Sequence, residues 1–183
     1  MPASMFGVLW SIVVLGYIYF AFLGSGISFS CMVAALLSGI AVWGLFEYVM
    51  HRFLFHMNLT SRLGRTVLFV LHGNHHMFPR DRYRNLMPAI VSLPLAAAFY
   101  FVFISTMGQS FGRPFFLGFL CGYIAYDGWH YATHQHRFSN RILKSIQRHH
   151  LKHHYADSES NYGVTTPVFD ALFHTVCRKT MER

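Results

Sequence analysis

Four stretches of the chain are apolar over nearly the roughly 20 residues needed to cross a bilayer as helix. They fall at residues 6–23, which carry no charge, 30–50, interrupted only by Glu47, 89–107, and 114–129, where the last part holds Asp127. Pro88 introduces the third stretch, and Pro94 inside it predicts a kink. The first stretch has neither a basic leader nor a small-residue cleavage site, so it reads as a retained span rather than a signal peptide. Apolar residues Ile142, Leu143, Ile146 and Leu151, set among basic residues and histidines, predict an amphipathic helix over 141–154, of the kind that lies at a membrane surface. The turn-rich ADSESNYG at 156–163 follows it, and VFDALFHTV at 168–176 predicts a short final helix.

Composition agrees with the pattern. The chain is 54% hydrophobic and only 12% charged, half the charge of an ordinary soluble domain. The formal net charge of +8 comes with an uneven distribution: 14 of the 15 Lys and Arg residues lie in 50–88 or 130–183, and only Arg113 lies elsewhere. Basic residues confined to particular loops are a topology signal, not a nucleic-acid footprint. With four spans both basic segments fall on one side, which the positive-inside rule makes cytoplasmic, while the links at 24–28 and 108–113 face the other way.

The 13 histidines are the second anomaly, because none precedes His51. Ten form four groups: HRFLFH (His51, His56), HGNHH (His72, His75, His76), HYATH (His130, His134) and HLKHH (His150, His153, His154). Two groups follow the second span and two follow the fourth, so four-span folding gathers all of them on one side. Positions i, i+3 and i+4 share a helix face, so each group so spaced can turn its imidazoles to a common centre. His51 and His56 are five apart, a poor chelate on a regular helix unless the helix loosens there. Ten imidazoles exceed the four to six ligands of one first-row metal, which makes two ions the natural reading. Glu47 and Asp127 each precede a histidine group and can offset the ionic charge or orient imidazoles from behind. An isolated histidine is more often a packing or interfacial residue, and His136, His149 and His174 are read that way. Cys31, Cys121 and Cys177 are scattered and odd in number, so they support neither disulfides nor a thiolate metal site.

The strings EYVMHRFLFHM at 47–57, LHGNHHMFPRDRYRNLMP at 71–88, YDGWHYATH at 126–134, HLKHHY at 150–155 and YGVTTPVFD at 162–170 resemble the fatty acid hydroxylase superfamily. Within it they look most like the fatty acid 2-hydroxylases that act on sphingolipid acyl chains. The HxxHH groups alone are shared with sterol desaturases; the longer strings favour the 2-hydroxylase branch. The resemblance implies metal ligands at His51, His56, His72, His75, His76, His130, His134, His150, His153 and His154, with Tyr126 and Asp127 near the substrate end of the site. Gln135 stands where that family often has a further histidine, and the cytochrome b5 domain fused to many relatives is not seen.

The expected fold is therefore an all-α integral membrane protein, a single domain over 1–183. Four transmembrane helices carry a cytoplasmic, His-rich helical cap that holds a dimetal centre. The implied activity is dioxygen-dependent hydroxylation at carbon 2 of a long fatty acyl chain, with two irons in the active protein and zinc able to occupy the same nitrogens. Implied partners are the membrane lipid substrate and a separate electron donor such as cytochrome b5, or ferredoxin with its reductase. The expected location is the endoplasmic reticulum for a eukaryotic source and the inner membrane for a bacterial one. Two other readings stand beside this one: a sterol methyl oxidase or carotenoid hydroxylase with the same metal site, and a membrane protein that handles metal without catalysis.

Overall fold

In the computed structural model the described residues are 1–22 and 26–180. Their regular structure is all helical, with no strand among the described residues. Helices α1 (Ala3–Phe22) and α2 (Phe29–Val49) occupy the first two apolar stretches. The end of the first expected span, Leu23, and part of the link at 24–28 lie outside the described residues. Helix α3 (Arg62–Leu68) and the single turn α4 (Asn74–Met77) follow, then the 47-residue α5 (Ala89–Gln135), α6 (Arg141–Tyr155) and α7 (Val168–Leu172). Three of these runs are long and apolar enough to cross a membrane, by length and composition: Ala3–Ala21, Phe29–Phe55 and Ala89–Gln135.

Helix α5 is a hairpin. Gly108 has φ +73° and ψ 168°, outside the helical region, and it breaks the run into two limbs. Phe99 and Phe119 then meet with ring centroids 5.1 Å apart, and Phe103 stands 4.9 Å from Phe115. A straight helix would set Phe99 and Phe119 about 30 Å apart. The third and fourth apolar stretches are thus the two limbs, and the link expected at 108–113 is shorter than its sequence suggests, because residues 109–113 are already helical. A positive φ is what glycine supplies without steric cost. The non-helical backbone in α5 is at Gly108, whereas Pro94 and Pro114 both sit inside helical limbs.

The chain packs as two units, each made of two separate segments: Met1–Trp43 with Met87–Ala125, and Gly44–Leu86 with Tyr126–Arg183. In the first, aromatic residues interlock. Trp10 and Trp43 meet Tyr123 at 5.1 and 5.4 Å, Trp43 meets Phe119 at 5.0 Å, and Tyr17 meets Phe116 at 5.2 Å while its hydroxyl donates to the Arg113 carbonyl at 3.1 Å. Helix α2 and the second limb of α5 approach backbone to backbone. A Cβ at Gly39 would strike the Phe115 carbonyl, and one at Gly118 the Leu36 carbonyl. On α1, Val8, Ile12, Leu15 and Tyr19 form a stripe at helical spacing, each more than 60% exposed. Such a stripe on a water-soluble surface would be a large apolar patch; on a lipid-facing helix it is the expected surface.

The second unit is polar inside. The Asn140 side chain caps α6 by accepting from the Ile142 and Leu143 amides at 2.9 and 3.2 Å. Gln147 ties α6 to the end of α5 by donating to the carbonyls of Thr133 and His136 at 2.8 and 2.7 Å. The buried face of α6 carries Gln147, His150 and His153, while Ile142 and Arg141 face outward. The final helix spans only Val168–Leu172, because His174 turns left-handed at φ 57°.

Candidate metal centre

All ten grouped histidines come together in the second unit, in two sets of five. His51, His56, His72, His76 and His153 form one cluster; His75, His130, His134, His150 and His154 form the other. Within each, one ring nitrogen per residue lies within 4.8 Å of all the rest. The rule of composition is the same for both: a pair from one span end, an i, i+4 pair from one HxxHH group, and the single middle histidine of the other HxxHH group. Each HxxHH group is therefore shared between clusters instead of serving one centre. Helix geometry explains this. At about 100° per residue, i+4 lies about 40° to one side of i and i+3 about 60° to the other, so the two can face different centres.

The His51–His56 spacing is resolved by the backbone. Met50–Phe55 is π-helical, and so is Phe69–Gly73, which holds His72. A π-turn closes i→i+5, so residues five apart return to the same face. His51 and His56 then lie with ring centroids 5.2 Å apart, and both reach the His153 ring, at 4.5 and 4.8 Å.

The ring nitrogens face one another across each cluster. His51 Nε2 is 3.1 Å from His72 Nε2, which is 2.7 Å from His76 Nε2; His153 Nε2 lies 3.1 Å from His56 Nε2 and 3.2 Å from His76 Nε2. In the second cluster His154 Nε2 is 3.0 Å from His75 Nε2 and 3.1 Å from His150 Nε2, and His150 Nε2 is 2.9 Å from His134 Nε2. Two of these rings have a fixed tautomer. A carbonyl oxygen can only accept, so His51 Nδ1 donates to the Tyr162 carbonyl at 2.5 Å and His153 Nδ1 to the Ser160 carbonyl at 2.7 Å. In the neutral ring that leaves Nε2 as a bare lone pair. Lone pairs aimed at one another in a buried space are satisfied by a cation between them. His130 Nε2 is likewise buried without a hydrogen-bond partner among the described residues.

Burial also keeps the rings neutral. It holds His72, His75, His150 and His154 well below the ordinary histidine range, helped by the neighbouring imidazoles. Burial brings His153 down to about 4 and His76 to about 2, and it lowers the half-buried His56 as well. Neutral imidazoles are the ligand-competent form. The donor set, two groups of five neutral nitrogens, suits two first-row transition ions.

Behind the rings lies a layer of which the sequence indicated only part. Glu47 is buried, and its three hydrogen bonds come from the Val164 amide at 2.7 Å, the Thr165 amide at 2.9 Å and the Thr165 hydroxyl at 2.7 Å. It holds the segment after Tyr162 instead of touching an imidazole. Trp129 donates to the Val164 carbonyl at 3.1 Å. The side-chain nitrogen of Asn85 donates to the Pro79 carbonyl at 2.8 Å and faces His75 Nδ1 at 3.2 Å, while Gln135 donates to the Asn85 oxygen at 3.1 Å. Gln135 thus acts on the second cluster through Asn85. Tyr126 and Asp127 are both buried, and the Tyr126 ring stacks at 5.9 Å on His130, one turn later. His149 does not join a cluster: it donates to Asp170 at 2.9 Å. His136 and His174 also stay outside the clusters. Asp170, Asn85 and Asn161 are among the buried polar residues to which sequence reasoning gave no role. Two of them stand inside the quoted strings, and the available signal was a carboxylate or amide in an otherwise apolar or turn-rich stretch.

Long apolar helices carrying paired five-histidine clusters define a class, that of helical membrane-type proteins with a histidine-only site for two ions. A profile of the fatty acid hydroxylase family matches residues 36–175, and the chain belongs to that family. It is 35% identical over 95% of its length to the ceramide very long chain fatty acid hydroxylase scs7 of Schizosaccharomyces pombe, and covers 50% of that protein. Identity to the fatty acid 2-hydroxylase of Macaca fascicularis is 38% over 75% of this chain and 38% of the relative. The dihydroceramide fatty acyl 2-hydroxylase FAH1 of Arabidopsis thaliana is 32% identical over 82% of this chain and 64% of its own length. The solved structure of full-length scs7p, with only the hydroxylase domain visible, superposes with a TM-score of 0.90 at 29% identity, covering 100% of this chain and 70% of that one. The chain spans about half the length of the Schizosaccharomyces pombe relative.

Proposed function

We propose that this chain is a dioxygen-dependent monooxygenase that hydroxylates carbon 2 of a long fatty acyl chain, that of a ceramide or related sphingolipid. The observation that carries the reading is the pair of buried, neutral, five-histidine clusters. Relatives named as ceramide and fatty acid 2-hydroxylases support the position and the substrate. The ten histidines are the ligands of two irons, which when bound supply the redox chemistry that zinc on the same nitrogens lacks. One oxygen atom enters the C–H bond, and the other leaves as water with two electrons and two protons. The electrons come from a separate donor protein such as cytochrome b5, or ferredoxin with its reductase.

The chain's own residues then have distinct tasks. His51 and His153, locked by main-chain carbonyls, present fixed lone pairs. Tyr126 and Asp127, beside His130, line the side on which the acyl chain lies. Glu47, through 164–165, keeps the carbonyl-bearing segment in place. The membrane setting has four spans, α1, α2 and the two limbs of α5, and the histidine clusters face the cytoplasm, a reading that the distribution of Lys and Arg supports. The membrane is the endoplasmic reticulum in a eukaryote and the inner membrane in a bacterium.

The test is expression in a host that makes no 2-hydroxy lipids, followed by lipid mass spectrometry, with His75→Ala as control. The expected result is 2-hydroxyacyl sphingolipid with the natural chain and none with the variant. Equal product from both would remove His75 from the site, and no product from an iron-loaded, reduced protein would overturn the reading.

A further inference from the structure

Asp170 is fully buried and accepts four hydrogen bonds. Its Oδ1 takes the Tyr162 amide at 2.8 Å and the Thr175 hydroxyl at 2.7 Å; its Oδ2 takes the Gly163 amide at 2.8 Å and His149 at 2.9 Å. The Gly163 amide belongs to the same peptide group as the Tyr162 carbonyl, and that carbonyl receives His51 Nδ1. One planar peptide therefore joins carboxylate to imidazole: Asp170 Oδ2, the Gly163 N–H, the Tyr162 C=O, His51 Nδ1. The peptide two back, between Ser160 and Asn161, repeats the arrangement one step removed. The Ser160 carbonyl takes His153 Nδ1, and the amide of the same peptide, that of Asn161, donates at 2.8 Å to the carbonyl of Thr175, whose hydroxyl donates to Asp170.

Local geometry holds the relay together. A Cβ at Gly163 would strike the Thr166 carbonyl and come within 2.9 Å of Asp170 Oδ2, so only glycine leaves the carboxylate in reach. Asn161 sits left-handed at φ 56°, with its side chain bonded to the His149 carbonyl at 2.8 Å and the Cys177 amide at 2.6 Å. Hydrogen bonds in series polarise one another, and a carboxylate behind a ligating histidine fixes its tautomer and raises its basicity. Both imidazoles so served belong to one cluster. In the other, the group facing His75 Nδ1 is a neutral amide, that of Asn85.

We propose that Asp170 is a positioning residue that orients His51 and His153 through the 160–163 main chain and so makes the two ion positions inequivalent, the cluster containing His51 holding its ion the more tightly. This rests on the reading of the clusters as a two-ion site. The test uses the full chain, purified in detergent and loaded with iron, then dialysed against graded chelator, with ions per chain measured by plasma mass spectrometry and each iron followed by Mössbauer spectroscopy. The natural chain releases one ion before the other. Asp170→Asn weakens retention of the tighter ion by about 10- to 100-fold, alters one of the two iron signals and leaves the other unchanged. Combined with His154→Ala, which disables the opposite cluster, it releases the remaining ion at about 10- to 100-fold lower chelator than His154→Ala alone. Thr175→Val, which removes one of the four bonds, shifts the same ion in the same direction by less, and it decides the matter if Asp170→Asn does not fold. Equal retention of both ions in whichever of these variants folds, or equal loss of both, overturns the proposal while leaving the two-ion site intact. A natural chain that binds no iron overturns that underlying reading instead.

Discussion

His153 and His154 are adjacent in sequence, their ring centroids are 5.6 Å apart with the rings crossed at 88°, and they face different clusters. His153 joins His51, His56, His72 and His76; His154 joins His75, His130, His134 and His150. Neighbouring residues on a helix differ by about 100° in direction, and α6 uses that angle to serve both clusters.

Alanine at either position should therefore give different proteins. His153→Ala is expected to lose the ion of the cluster containing His51, and His154→Ala the ion of the cluster containing His75, each leaving about one ion per chain. Hydroxylation should fall by more than about 100-fold in both, beyond what loss of an orienting partner costs. Metal analysis of the two single variants and the double variant checks this. A double variant that keeps one ion contradicts the division.

The π-helical turn at Met50–Phe55 makes a second prediction. Deleting Leu54 sets the two histidines of this segment four apart and lets the chain return to α-helical hydrogen bonding. Positions four apart share an α-helical face, so the pair keeps its approach to the His153 ring. Circular dichroism and the count of two ions per chain should both be nearly unchanged. Loss of one ion in the deletion would mean that the π-turn itself, and not the shared face it restores, builds the site.

Much of this was legible before any coordinates, and the reasons differ by feature. The apolar stretches and the ten histidines follow from composition and spacing, which survive any rearrangement of side chains. The division of each HxxHH group was not legible, because it depends on how three helices are rotated about their own axes. The π-turn was visible only as an awkward spacing between His51 and His56. Gly108 looked like one residue of a six-residue link, and only its φ of +73° shows it to be the whole turn. Asp170 lay within a recognisable string, yet its partners Tyr162, Gly163 and Thr175 are mostly backbone, and backbone donors leave no mark in a sequence.

Acidity supplies a third prediction. His153 and His76 titrate at about 4 and about 2 in the metal-free fold, below the ordinary histidine value that they regain on unfolding. The folded form thus binds fewer protons than the unfolded form between those values and pH ~6.5. Stability must then rise with pH across that window. The contribution is complete above pH ~6.5 and is lost as pH falls through 6 and 5 toward the folded values. Chelator-treated protein should show a melting temperature that drops steadily from pH 7.5 to 5, and iron-loaded protein should melt higher with a similar drop, because the rings are unprotonated in both folded forms and the protons are taken up by the unfolded chain. A metal-free melting temperature flat across this range would mean that these rings are solvated.

The last prediction concerns the contact of α2 with the second limb of α5, where Gly39 lies against the Phe115 carbonyl and Gly118 against the Leu36 carbonyl. Both obstructing groups are main chain, which cannot rotate aside as a flexible side chain does. Gly118→Val should therefore force the helices apart and cost at least about 3 kcal/mol, the upper end of overpacking penalties, read as a lower melting temperature in detergent and less folded protein in the membrane. Gly16→Val on α1 is the control, since nothing lies within 4 Å of a Cβ there. Its melting temperature should stay near that of the natural chain. The molecules of Gly118→Val that remain folded should still hold two ions per chain, because the substitution acts on packing in the first unit and removes no histidine. Loss of ions at unchanged melting temperature would be the opposite result and would tie Gly118 to the metal centre instead.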